Sequence, residues 1–148
     1  MADIGLMPGR NRPLKTRPAI TTDALCKRGS VVVSPATGGS YDCVTSTSAG
    51  ANLVMGVVLD QGDPNNSDLI PTGATVSLAE EGDCEILVLG STAYAWGDIL
   101  ICTTTAGVAG KYTSGSTYDQ IGIVTQNITT GTNVQLISCR LNIVKRAA

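Results

Sequence analysis

The side chains able to do chemistry are few, and their spacing narrows what they can do. There is no histidine among the 148 residues, so neither a Ser-His nor a Cys-His nucleophile can be assembled. Five cysteines, Cys26, Cys43, Cys84, Cys102 and Cys139, form no Cys-x-x-Cys pair, and an odd number of them cannot all be paired. They are expected to be free thiols serving as small buried apolar residues, in a protein folded where thiols stay reduced. The densest acidic group, Glu80, Glu81, Asp83 and Glu85, has nothing that separates an acid from a base and is expected to be a solvated turn. Asp60, Asp63 and Asp68 lie in a polar segment that lacks the alternating ligands and closing Glu of a calcium loop. No Gly-x-x-x-x-Gly-Lys-Ser/Thr phosphate loop occurs. The expectation is therefore a protein with no catalytic residues, no metal site and no cofactor.

What remains is a pattern of charge. Residues 1–28 hold six basic side chains against Asp3 and Asp23, and residues 140–148 hold Arg140, Lys145 and Arg146. Between them, ten acidic residues face Lys111 alone. A basic end on an acidic body can pair with nucleic acid, with an acidic protein or with another copy of the chain. No aromatic residues are interleaved with the basic ones to stack bases, so direct nucleic-acid binding is not expected. Arg10, Arg12, Lys15 and Arg17, spaced by Pro8, Pro13 and Pro18, predict an extended fastening arm over residues 1–23, ordered only on a partner. Tyr94 and Trp96 are the one close aromatic pair and the candidate anchors of a subunit interface.

The elements that position these residues are expected to be strands. Val, Ile and Thr number 13, 11 and 18 beside 17 Gly, and apolar residues do not recur at helical spacing. An all-β domain over residues 24–144, a small β-barrel or β-sandwich with an aliphatic core, follows, with 145–148 a short basic tail. In its middle, residues 76–102 predict three strands, the first two joined by a turn at Glu81-Gly82-Asp83. Further strands are predicted near Val31–Ser34, Tyr41–Thr45, Leu53–Leu59, Ile99–Thr103, Gly110–Thr113, Gln120–Thr125, Asn133–Ser138 and Arg140–Val144. Three ordered motif pairs predict an internal duplication with halves near 29–89 and 97–144. Gly29-Ser30-Val31-Val32-Val33 matches Gly97-Asp98-Ile99-Leu100-Ile101, Met55-Gly56-Val57-Val58 matches Ile121-Gly122-Ile123-Val124, and Gly73 to Leu78 matches Gly131 to Leu136. No apolar run is long enough for a membrane span or a signal peptide, and the chain is expected to stay in the cytoplasm where it is made.

The succession of these motifs, with Val76 to Gly90 between them, resembles the capsid cement or head decoration proteins of tailed bacteriophages over roughly residues 24–144. That resemblance implies a non-enzymatic virion protein on the outer surface of the head, commonly a homotrimer, that clamps neighbouring major capsid subunits. The long basic arm departs from the family pattern. A binding module of the phage tail or baseplate, or a host-attachment protein, is the alternative expectation.

Overall fold

The structure, a computed structural model, describes residues 12–35, 39, 41–47, 54–113 and 118–146. These residues form strands β1 (Arg12–Thr21), β2 (Val31–Val33), β3 (Asp42–Thr45), β4 (Val54–Val58), β5 (Thr75–Val88), β6 (Ala93–Tyr94), β7 (Ile99–Cys102), β8 (Ala109–Lys111), β9 (Tyr118–Val124), β10 (Ile128–Thr129) and β11 (Gln135–Arg146). The only helical element among the described residues is a 3-10 turn at Pro64–Asn66, and the fold is all-β. Nine strands make one sheet in the order β1-β3-β2-β4-β5-β11-β9-β7-β8, and β6 pairs with β10 in a separate ribbon.

The sheet closes on itself twice. Pairing of β1 with β5 closes a ring of β1, β3, β2, β4 and β5, and pairing of β8 with β5 closes a second ring of β5, β11, β9, β7 and β8. Strand β5 belongs to both. Its first part pairs with β1 and β4, and from Glu81 onward it pairs with β11. Where sequence predicted a turn at Glu81-Gly82-Asp83, the strand runs on unbroken. Gly82 has φ +93°, and a Cβ there would overlap the backbone of Leu14 where β1 crosses. Only glycine meets both demands without strain.

The core follows from the apolar pattern. Val76 and Leu78 of β5 are buried with Ala19, Val32, Cys43, Met55 and Val58 in one cluster, which belongs to the first ring. Ile86 and Val88 of β5 are buried with Leu100, Val124, Ile137 and Cys139 in a larger cluster that also takes in Val31, Val33 and Val57. Strand β2 thus sends Val32 to one cluster and its two neighbours to the other, which is why three consecutive valines occur there.

The two rings share one plan. Val32 pairs with Gly56 as Leu100 pairs with Gly122, and Val33 pairs with Val44 as Ile101 pairs with Gly110. Ile20 pairs with Thr75 as Leu87 pairs with Leu136. In this register β1, β2, β3, β4 and β5 correspond to β5, β7, β8, β9 and β11, so β5 ends one unit and begins the next. Two of the sequence motif pairs occupy equivalent positions. The third does not: Ser77 receives the hydrogen bond from Leu59 N as Ser138 receives it from Thr125 N, so Thr75 to Leu78 correspond to Leu136 to Cys139, three residues beyond the sequence match.

Residues 12–21 are also placed differently from the expectation of an arm outside the fold. They are the first strand of the first unit, with Ala19 and Thr21 buried. Pro18 is tolerated because of strand polarity. Thr21 N bonds Ala74 O on the β5 side and Ile20 N bonds Tyr41 O on the β3 side, so alternation points the nitrogen of residue 18 away from β5.

Candidate functional site

The charged surface is built where β1, β5 and β11 lie side by side. Lys15 Nζ and Arg17 Nη1 each lie 3.4 Å from a carboxylate oxygen of Glu80. Arg140 donates to both oxygens of Asp83, at 2.8 and 3.2 Å, and this pairing raises the guanidinium above its ordinary range. Arg28 donates to Glu85 at 2.7 Å. Arg12 is exposed and stands opposite Asp83 in the ladder, while Arg10 lies outside the described residues. The four acidic residues are therefore strand residues, and three of them are neutralised by basic side chains from distant segments. Exposed and part-exposed pairs of this kind add little to stability, so the array tunes the surface more than it holds the fold.

Where β4 and β11 diverge from β5, an open groove of about 380 Å³ is lined by Lys15, Arg17, Val54, Met55, Glu80 and Ile143. Its cations already face a carboxylate, and its apolar wall is short. Among the described residues no three His, Cys, Asp or Glu side chains converge to hold a metal ion.

The aromatic pair separates. Tyr94 is 2% exposed and donates its hydroxyl to Leu89 O at 3.1 Å, and burial pushes its phenol up. It caps the core and is not available to a partner. Trp96 is 67% exposed, held by a bond from its backbone N to Asn127 Oδ1 at 2.9 Å. Among the described residues Leu14, Leu25, Tyr41 and Ile20 are the other large exposed apolar side chains, and sequence did not single them out.

All five cysteines are free and buried. Burial is the main cause that pushes Cys26 up to about 12, with nearby Cys43 and Asp23 adding to it. It also pushes Cys43 and Cys102 up to about 11. Cys139 lies 3.7 Å from Cys84 across the β5–β11 ladder, and that hydrogen bond together with burial raises it well above the usual thiol value. Cys26, Cys43, Cys102 and Cys139 are thus protonated at neutral pH, and all five buried side chains are packing groups.

No protein-family model matches the chain, and no curated protein matches it. Among solved structures, the fold is similar to the crystal structure of the N base of head fiber gp8.5 in bacteriophage phi29. The TM-score is 0.51 at 14% identity, over 86% of this chain and 93% of that one. At that identity the likeness is one of fold.

Proposed function

We infer that this protein is a non-enzymatic structural component of a bacteriophage head, a cement or decoration protein that sits on the outer capsid surface and bridges major capsid subunits. The observation that carries this reading is the fold shared, over nearly the whole of both chains, with the base of a phage head fiber. The sequence motifs that resemble head decoration proteins lie in the same body. A double ring in which both ends of β5 are locked into ladders is suited to load-bearing, because deforming it breaks pairing in both rings at once. Capsid attachment would then come from many weak contacts repeated by the lattice. The protein assembles as a homotrimer in this reading, is made in the host cytoplasm and ends in the virion, with neither membrane nor nucleic acid as a direct partner. Lys15, Arg17, Arg28 and Arg140 are turned to the chain's own carboxylates, which supports a protein partner over a phosphate backbone.

The alternative is a binding module of the phage tail or baseplate, or a host-attachment protein, that grips a ligand with an exposed loop. Gradient separation of disrupted phage into DNA-filled heads and tails distinguishes the two locations. The protein is expected with the heads; recovery with tails or baseplates would reject the cement assignment.

A further inference from the structure

The internal duplication supplies a template for contact between copies. In the first unit, the turn Lys27-Arg28-Gly29-Ser30 is closed by Ser30 N to Lys27 O at 2.9 Å and by Lys27 N to Ser30 Oγ at 3.0 Å. In the second unit, Ala95-Trp96-Gly97-Asp98 is closed the same way, by Asp98 N to Ala95 O at 3.0 Å and Ala95 N to Asp98 Oδ2 at 2.8 Å. Gly29 and Gly97 have φ +83° and +92°, and their N atoms bond Val58 O and Val124 O, both at 2.8 Å. The two turns are one structure used twice.

Their surroundings differ. The first turn is docked on the outer face of the second ring: Gly29 O accepts from Leu87 N at 2.9 Å, a Cβ on Gly29 would overlap the side chain of Leu136, and Arg28 pairs with Glu85. Among the described residues, the second turn has no such docking face against it. No atom lies within 4 Å of a Cβ built on Gly97, and Trp96 stands in solvent.

The register also identifies the counterpart of the docking face, exposed among the described residues. Glu85, Leu87 and Leu136 correspond to Pro18, Ile20 and Thr75, all of them exposed, with Tyr41 beside Ile20 and 59% exposed. The residues at the equivalent positions differ in kind. Where the internal joint pairs Arg28 with Glu85, the equivalent residues are Trp96 and Pro18, a flat aromatic and a flat apolar ring.

We propose that copies of this chain associate head to tail, the Trp96 turn of one seating on the Pro18–Ile20 face of the next, as the Arg28 turn seats on the Glu85–Leu87 face within each copy. Ile20 N is already bonded to Tyr41 O at 2.8 Å, so the joint between copies is made by side chains, without the backbone bond of the internal one. The two surfaces are different, so the contact is heterologous and either closes into a ring or continues as a filament. It is a property of the purified chain and stands or falls independently of attachment to a phage head.

Light scattering coupled to gel filtration, over a concentration series of the full-length protein, reads the assembly. The wild type is expected to form oligomers, and Trp96→Ala and Ile20→Asp are each expected to be monomers, because each removes one half of every joint. An equimolar mixture of the two is expected to form a dimer and nothing larger, since the mixture holds one intact turn and one intact face. A Pro18→Cys/Trp96→Cys variant is expected to cross-link into a ladder under mild oxidation, with the five native thiols buried. It reads the joint even if Ile20→Asp perturbs β1. A monomeric wild type at every concentration, loss of assembly in Trp96→Ala alone, or cross-linking by Trp96→Cys without its partner substitution would each overturn the proposal.

Discussion

At the residue scale the thiols give the sharpest test. An unfolded thiol ionises near 9.0, whereas Cys26 is held up to about 12 and Cys43 and Cys102 up to about 11 by burial. The folded state therefore keeps its protons where the unfolded chain has lost them. The stability this provides is complete below about 9 and is lost as pH rises toward 11 and 12. The thermal midpoint should be flat through neutral pH and fall above about 9, and Cys102→Ala should reduce the alkaline slope; an unchanged slope would show that other groups cause it. Alkylation without reductant should leave all five cysteines unmodified in the native protein and modify all five after denaturation. A pre-existing disulfide would leave fewer. Burial of the thiols was legible from their number and the missing histidine. The contrast between Tyr94 and Trp96 was not, because strand alternation places both on one side and only the turn at Gly97 lifts Trp96 away.

At the element scale, β1 and β5 define what sequence could and could not show. Pro13, Pro18 and four basic residues have the composition of a solvated arm, and the partner that makes a strand of them begins more than fifty residues later at Thr75. Equally, four acids around Gly82 have the composition of a turn until Lys15, Arg17, Arg28 and Arg140 are brought to them. The consequence is testable by truncation. Deleting residues 1–21 should open the first ring, expose Val76 and Leu78 and abolish cooperative unfolding of that ring, where a detachable arm would leave the melt unchanged. Gly82→Ala should destabilise by roughly 1–3 kcal/mol, since it combines a left-handed backbone with overlap on Leu14. By contrast Glu80→Gln should change stability by less than ~1 kcal/mol, because Lys15 and Arg17 remain solvated. Chemical denaturation measures both; equal effects would mean that the left-handed backbone at Gly82 and its close approach to Leu14 do not constrain β5.

At the scale of the whole molecule, the motif pairs beginning at Gly29 and Gly97 carried the repeat into view because the same turn and the same β-strand glycine recur in both units. The Gly73 and Gly131 match misled by three residues, since glycine before an apolar run marks strand starts in general, whatever their register. No local pattern announces that one strand serves two units. That sharing couples the two rings through one continuous strand, which suits the structural role proposed above. The proposed place of this body on a capsid is tested by quantitative mass spectrometry of DNA-filled heads saturated with purified protein, read as a ratio to the major capsid protein. Saturation at a fixed ratio set by the icosahedral lattice, unchanged by nuclease, is the expected result. Binding in only a few copies, or no saturable binding to heads, would contradict it.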